Sequence, residues 1–191
     1  MAESPAADQE LLRKLARGDE KAFLGLYERY QGPLYRFALH MSGNQATAEE
    51  VTQEVFMLLI RKPKGYEPEK GSVAGYLFGI ARNLTRRTLQ RSRLDLPIDE
   101  EGPDSAGELA FASDLDLLAE LSNAELLESL RRAVLTLPEQ YREVVALCDL
   151  EEMSYGDAAT VLECSSGTVA SRLHRARAML KAKLSYQKCT K

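Results

Sequence analysis

Side chains able to contact DNA recur along one predicted helix near the carboxyl end of the chain. Val169, Leu173, Ala176 and Leu180 have the three-and-four spacing of a buried helical face. At about 100° per residue, the opposite face carries a hydroxyl, an imidazole and a guanidinium group. These groups suit base edges and phosphates. The candidate DNA-binding residues are Thr168, Ser171, Arg172, His174 and Arg175.

The residues before this helix predict a helix-turn-helix. A shorter helical pattern runs from Ser154 to Ala159, and a tight connection joins it to the longer helix. A short helix, a turn and a second helix form the layout of a DNA-reading motif. Residues 168–191 contain seven Lys or Arg and no Asp or Glu. The alternative is a solvated basic helix end, because Lys and Arg favour the carboxyl side of helices in any protein.

A second candidate nucleic-acid surface lies on a helix predicted over residues 72–93. Its apolar stripe is Leu77, Ile80, Ala81 and Leu84. On the opposite side, Arg82, Arg86 and Arg93 fall within about 40° of each other. Arginine supplies phosphate contacts, and the amide of the neighbouring Asn83 can hydrogen-bond a base edge. The alternative is an ordinary arginine face in contact with solvent.

A loop is predicted immediately before this helix, because Pro63, Gly65 and Pro68 interrupt residues 62–71. Tyr66, Tyr76 and Phe78 lie in or next to the loop, and aromatic rings can stack on an unpaired base. Tyr76 is alternatively a core residue. The candidate single-strand-binding residues are Lys64, Tyr66, Arg82, Asn83, Arg86 and Arg87.

The charges of the chain are segregated along its length. The formal net charge of the 191 residues is −4, yet residues 1–94 carry 15 basic and 11 acidic groups. Residues 95–130 carry 11 acidic groups and no basic one, and residues 131–191 carry 10 basic and seven acidic groups. Two mildly basic bodies with an acidic connector between them are compatible with nucleic-acid binding.

The remaining pattern predicts an all-α fold of two small helical domains joined by a flexible acidic linker. Helices are predicted over residues 22–39 and from Thr47, whose Thr-Ala-Glu-Glu sequence is a capping-box pattern. Pro97, Gly102 and Pro103 preclude a continuous helix in the connector. The predicted domains are residues 1–94 and 123–191, with the linker at residues 95–122.

Several classes of function are not supported by the sequence. No apolar run approaches the roughly 20 residues of a membrane span, and the amino terminus has no signal-peptide core. Cys148, Cys164 and Cys189 match neither a zinc pattern nor a disulfide framework. Ligand clusters, phosphate-binding glycine loops and nucleophile motifs are also lacking. We therefore expect a cytoplasmic protein that has no cofactor or metal, is not inserted in a membrane and is not an enzyme.

Three blocks taken together resemble the extracytoplasmic-function (ECF) sigma factors, a class of bacterial transcription initiation factors. The first block is Ala48 to Phe56, and it is similar to the family's helix that holds the clamp of RNA polymerase. The second, Gly75 to Leu84, is similar to the segment that melts and reads the −10 promoter element. The third, Leu137 to Arg177, is similar to the reader of the −35 element.

The resemblance implies a role for each candidate set. It assigns the single-strand candidates to the −10 element and the helix-turn-helix candidates to the −35 element of promoter DNA. It assigns polymerase binding to Glu50, Gln53, Glu54 and Phe56. It also implies core RNA polymerase and an anti-sigma factor as partners. In this family the linker runs through the polymerase channel for nucleic acid, where its carboxylates could imitate phosphates; alternatively it is a soluble spacer.

The chain departs from the family pattern at several positions. Relatives often have a basic residue at Ala170, an aliphatic one at Ala158 and a glycine at Glu163. If the backbone at Glu163 is left-handed, the side chain costs on the order of 1 kcal/mol. Relatives also often have tryptophan near Ile60 and at Tyr76, and this chain contains none. A helix-turn-helix regulator that works without polymerase is the alternative, although it leaves the first two blocks unexplained.

Overall fold

The computed structural model describes residues 5–95 and 129–188, and these residues form helices without any strand. The predicted all-α fold is therefore confirmed. The amino-terminal body comprises α1 (Pro5–Leu15), α2 (Glu20–Ser42), α3 (Gln45–Arg61), a 3₁₀ turn (Pro68–Lys70) and α4 (Val73–Asp95). The predicted connector falls almost entirely outside the described residues.

Capping residues set the boundaries of α2 and α3. The Asp19 side chain accepts a hydrogen bond from the Lys21 amide at 2.9 Å and so begins α2. Gly43 ends it in the left-handed conformation, with φ of 70°. Asn44 then caps α3 by accepting from the Thr47 amide at 2.9 Å. The helix therefore begins before Thr47, and the predicted capping box lies inside it.

The core of the amino-terminal body is built from the facing sides of α2, α3 and α4. Phe37 on α2 meets Phe78 on α4 edge to face, with ring centroids 5.5 Å apart. Phe78 is therefore a core residue and not a loop aromatic. The buried face of α4 also includes Thr85, whereas Ile80 and Leu84 are only partly buried. The buried stripe thus lies nearer the arginine side of the helix than the apolar spacing predicts.

Helix α1 is a feature that the sequence analysis did not predict. It packs on α2 through Leu12, which is buried, and through Asp8. The Asp8 carboxylate accepts hydrogen bonds from Tyr30, at 2.5 Å, and from Arg29. A carboxylate with two partners on α2 holds this polar helix against the body.

The carboxyl-terminal body contains the predicted helix-turn-helix. It comprises α5 (residues 129–135), α6 (Glu139–Val144) with a π-helical continuation (Val145–Leu150), α7 (Tyr155–Leu162) and α8 (Ser166–Lys188). Ser154 caps α7 by accepting from the Asp157 amide at 3.1 Å. Glu163 then ends it with φ of 54° and ψ of 43°. The departure at Glu163 therefore does place a non-glycine side chain in left-handed backbone, at a cost of roughly 1 kcal/mol.

The two bodies pack against each other. Helix α7 lies on α4, and α6 with its π-helical continuation lies on α2. The Arg142 guanidinium on α6 donates to the Met41 carbonyl of α2 at 2.8 Å and to the Leu137 carbonyl of its own body at 3.0 Å. The apolar residues of both bodies form one continuous cluster. The charge segregation of the sequence gives no indication of this packing.

Candidate nucleic-acid and protein interfaces

The face of α8 opposite the core presents the predicted −35 side chains. Val169, Leu173 and Ala176 are buried, at 0%, 1% and 0% exposure, so the helical phase is as expected. Ser171, His174 and Arg175 are exposed together on the other face, while Thr168 and Arg172 are partly buried at its edges. This surface holds a hydroxyl, an imidazole and a guanidinium without any acidic neighbour on the same helix.

The amino-terminal end of α8 is fixed by side chains before the helix. The Ser165 hydroxyl accepts from the Thr168 amide at 3.1 Å, and the two hydroxyls lie 2.9 Å apart. Capping of this kind satisfies a free amide of the first turn. Further along α8, the Arg177 guanidinium donates two hydrogen bonds, of 2.5 and 3.1 Å, to the Asp149 carboxylate. The Asp149 carboxylate raises the pKa of Arg177 and holds it against its own body.

The predicted −10 arginines lie at the junction of the two bodies. Arg82 has a side chain only 11% exposed, and its Nε donates to Glu143 at 2.5 Å. Its Nη1 donates to the Val161 carbonyl at 3.3 Å. Arg86 pairs with Glu139 at 3.0 Å. Asn83 and Arg87 are exposed, so of the four predicted residues on α4 two form ion pairs with the carboxyl-terminal body and two are exposed.

The loop predicted over residues 62–71, whose aromatic rings could stack on an unpaired base, lines a cavity of about 350 Å³ at the start of α4. Tyr66 is partly buried and donates to the Gly71 carbonyl at 2.9 Å, with its ring 5.7 Å from that of Tyr76. Glycine at position 65 lets the Tyr76 side chain lie close to the loop backbone, since a Cβ at Gly65 would be 2.8 Å from the Tyr76 hydroxyl. Asn83 lines the same cavity, whereas Lys64 is exposed outside it.

A groove of about 930 Å³ lies between α2 and α3, and two of the four predicted polymerase-binding residues, Gln53 and Phe56, line it, whereas Glu50 and Glu54 lie outside it. Glu50 and Gln53 are exposed, and Glu54 is 3.5 Å from Arg61. Phe56 is buried, at 3% exposure, beneath the Tyr27 ring, with the centroids 4.8 Å apart. Phe56 therefore supports the groove from below.

The exposed apolar side chains beside the groove are ones that the sequence analysis did not select. Tyr27 and Met57 line it and are 38% and 37% exposed, and Ile60 lies at its end. Such exposed apolar groups beside polar ones are typical of protein-binding surfaces. The signal in the sequence was the apolar run from Val55 to Ile60, which is longer than one buried face of a helix requires.

The His, Cys and acidic side chains of the described residues do not cluster as metal ligands. Among the described residues no group of three His, Cys, Asp or Glu side chains could hold a metal ion. Burial raises the pKa of Cys148 to about 11, which disfavours its thiolate. None of the described helices is long and apolar enough to cross a membrane.

Comparison with known proteins matches both bodies to one family. Residues 26–94 match Sigma-70 region 2, and residues 127–180 match Sigma-70, region 4. The chain is 31% identical to the ECF RNA polymerase sigma factor BldN of Streptomyces coelicolor over 178 residues, covering 90% of this chain and 66% of BldN. It is 30% identical to the ECF RNA polymerase sigma-E factor of Haemophilus influenzae, covering 93% of this chain and 95% of that protein.

Two solved structures have the same fold. The structure of CnrH in complex with the cytosolic domain of CnrY aligns with a TM-score of 0.68, at 26% identity over 94% of this chain and 98% of that one. The sigma factor RpoE of Bartonella quintana, in complex with the anti-sigma factor NepR, gives 0.67 at 26% identity, over 86% and 98%. With both region matches, and with the Haemophilus influenzae relative aligned over nearly its full length, the chain belongs to the ECF family of RNA polymerase sigma factors, which are transcription initiation factors.

Proposed function

We propose that this chain directs core RNA polymerase to specific promoters and helps to open their −10 element. The observation that carries the proposal is the exposed face of α8. Ser171, His174 and Arg175 lie on this face, and the opposite face of the helix is a buried apolar stripe. A helix with this division of faces can enter the major groove and present donors to base edges and phosphates. We assign this face to the −35 element.

The −10 element is assigned to α4 and the loop before it. Asn83 is exposed at the edge of the cavity lined by Tyr66 and Tyr76, where an extruded base would meet an amide and two rings. The arginines Arg82, Arg86 and Arg87 would hold the phosphates of the same strand. Binding energy released by the extruded base offsets the few kcal/mol that unpairing costs.

The groove between α2 and α3 is assigned to the polymerase clamp. Tyr27 and Met57 supply exposed apolar contact area, Gln53 supplies a polar contact in the groove, and Glu50 is exposed on the same helix outside it. Core polymerase then carries out the bond chemistry, and this chain selects and opens the site without catalysing a reaction. Since polymerase and promoter are its partners, we place its action in the cytoplasm.

An anti-sigma factor is a further proposed partner. The Bartonella quintana relative was solved with an anti-sigma factor bound, and the same fold in this chain offers two bodies to such a protein. The alternative function, a helix-turn-helix regulator that works without polymerase, is not favoured, because it leaves the groove and the α4 surface without a role.

Run-off transcription with purified core polymerase on genomic fragments tests the proposal. We expect discrete transcripts that depend on the chain and that weaken in Arg175→Ala. Lys181→Ala on the same helix is the charge-matched control, because it removes one cation well away from the predicted base contacts. A chain that supports no promoter-specific transcript with any fragment would contradict the proposal.

A further inference from the structure

The loop before α4 is tied to the amino-terminal helix α1 by a side-chain hydrogen bond. The Gln9 amide on α1 donates to the Tyr66 hydroxyl at 3.2 Å, between residues 57 positions apart in the sequence. Helix α1 also contacts α4, so it lies beside the segment that we assign to the −10 element. The proposed function leaves α1 without a role, although its contacts hold it firmly in place.

The position of Gln9 is fixed by its neighbours on α1. Asp8 is buried, and its carboxylate accepts hydrogen bonds from Arg29 and Tyr30 of α2. Leu12, one turn further along the same face, is 3% exposed in the core. Because both ends of this turn are anchored, the Gln9 amide is presented from a backbone that cannot shift without breaking these contacts.

The Tyr66 hydroxyl is used both as an acceptor and as a donor. It accepts from Gln9 and donates to the Gly71 carbonyl at 2.9 Å. The bond to Gly71 spans the 3₁₀ turn Pro68–Lys70 and so closes the loop on itself. A phenol has a single proton, and here that proton is taken by the backbone. The ring, and not the hydroxyl, is therefore the part of Tyr66 that can receive a base.

The ring of Tyr66 is held in a defined orientation at the cavity. It lies 5.7 Å from the ring of Tyr76, at an interplanar angle of 59°, and both line the cavity together with Asn83. A side chain that is ordered before binding loses less conformational entropy when a base stacks on it. Without Gln9, the hydroxyl would keep only its bond to Gly71, within the loop itself, so the ring and the loop could move together.

We propose that Gln9 is a positioning residue for strand capture, which holds the Tyr66 ring and the loop before α4, through the Tyr66 hydroxyl, in the conformation that receives an unpaired base. The inference rests on the proposed function, because it assumes that this loop binds the opened −10 strand. Gln9 acts through Tyr66 and is not itself a DNA contact. Helix α1 thereby takes part in promoter opening.

A double-mutant cycle tests this coupling. The variants are Gln9→Ala, Tyr66→Phe, which keeps the ring and removes the hydroxyl, and the two changes combined. Gln45→Ala is the matched control, because it makes the same truncation at an exposed glutamine that loses one amide hydrogen bond, of 3.1 Å, to Glu49 on its own helix. Each variant is the full chain.

Two measurements are made on each variant. Permanganate reactivity of unpaired thymines reports promoter opening by holoenzyme, formed with saturating chain, on a fragment that yields a run-off transcript. Carbon-13 NMR of labelled tyrosine rings reports on Tyr66 in the free chain without DNA, and the signal that disappears in Tyr66→Phe identifies it among the eight tyrosines.

We expect Gln9→Ala to shift or broaden the Tyr66 ring signal and to reduce promoter opening roughly two- to ten-fold, the range for ordering one side chain on binding. Thermal melting should change little, because Asp8 and Leu12 still hold α1. In the Tyr66→Phe background, Gln9→Ala should have no further effect on opening. Gln45→Ala should leave both the opening and the Tyr66 signal as in the wild type.

An unchanged Tyr66 signal and unchanged opening in Gln9→Ala would overturn the inference. An equal loss of opening from Gln9→Ala with and without the Tyr66 hydroxyl would also overturn it, since Gln9 would then act elsewhere. Absence of any run-off transcript would instead count against the proposed function, and the Tyr66 ring signal would still show whether Gln9 holds the loop.

Discussion

Single side chains of α8 divide into those that we propose contact DNA and those that hold the helix in place. We predict that Ser171→Ala and Arg175→Ala each cost about 1–3 kcal/mol of discrimination at the −35 element, because both side chains point away from the body. Leu173→Ala should instead destabilise the carboxyl-terminal body by roughly 2–5 kcal/mol, since its side chain is fully buried. Promoter binding by holoenzyme and thermal melting separate the two effects. Equal melting losses for Arg175→Ala and Leu173→Ala would contradict this assignment.

Asn83 provides a second prediction at this scale. Because its side chain lies at the mouth of the cavity, we expect Asn83→Ala to impair promoter opening more than closed-complex binding. The comparison is an intact duplex against a promoter with a pre-melted bubble, both with polymerase. Recovery on the bubble indicates that Asn83 acts in melting. Arg87→Ala is the control, because it should weaken binding uniformly and lower the salt dependence. Wild-type behaviour of Asn83→Ala on both templates and on altered −10 sequences would exclude base capture.

His40, at the end of α2, makes stability depend on pH. Burial, with Arg131 and Arg36 nearby, lowers the pKa of its imidazole to about 4. In the unfolded chain the ordinary value is about 6.5, so the unfolded state binds the extra proton between these two pH values. The contribution of His40 to the free energy of unfolding is therefore present above pH 6.5 and is lost as the pH falls toward 4. At pH 5 the loss is about 2 kcal/mol.

Urea unfolding at pH 7 and pH 5 measures this contribution. His40→Gln cannot gain the proton and should show a smaller decrease than the wild type across the same interval. An equal decrease in the two proteins would mean that carboxylates elsewhere cause the acid sensitivity.

At the scale of helices, the turn between α7 and α8 carries strain that can be relieved. Glu163 has φ of 54°, a conformation that glycine adopts without a steric penalty. We predict that Glu163→Gly stabilises the protein by roughly 1 kcal/mol in thermal or urea unfolding. Ala170→Gly, at an exposed position inside α8, is the opposite control and should destabilise it by about 0.5–1 kcal/mol. Destabilisation by Glu163→Gly would show that the side chain contributes more than its backbone costs.

The helices whose apolar residues repeat clearly could be predicted from the sequence. The stripe on α8 was correct because the spacing of Val169, Leu173 and Ala176 depends only on helical geometry. The stripe on α4 was displaced, since Phe78 and Thr85 are buried by contacts that spacing does not report. Helix α1 was not predicted, because its attachment to α2 combines apolar contacts such as Leu12 with hydrogen bonds to the Asp8 carboxylate, and hydrogen bonds leave no periodic apolar pattern.

At the scale of the whole molecule, the packing of the two bodies could not be predicted. It depends on ion pairs between residues far apart in sequence, such as Arg82 with Glu143, and local spacing carries no information on such contacts. The ion pairs between the bodies also involve two of the α4 arginines, Arg82 and Arg86. The sequence indicated a face open to solvent or DNA, whereas the fold presents part of it to the carboxyl-terminal body.

The packing of the two bodies and the net negative charge lead to one prediction for the whole chain. We expect DNA to bind weakly to the chain alone, because the net charge is −4 and Arg82 is already paired with Glu143. Core polymerase, by binding the α2–α3 groove, would hold the −10 and −35 surfaces on the same promoter. We therefore expect sequence-specific promoter binding only in the presence of core polymerase.

The most direct test of the central claim is promoter binding by the purified chain with and without core polymerase. An electrophoretic mobility assay at fixed salt would use one promoter duplex, taken from a fragment that yields a run-off transcript, and a scrambled duplex of equal length. The account predicts weak binding without preference for the chain alone, and a heparin-resistant, promoter-specific complex once polymerase is added. Tight, specific binding by the chain alone would contradict it and would favour a regulator that works without polymerase.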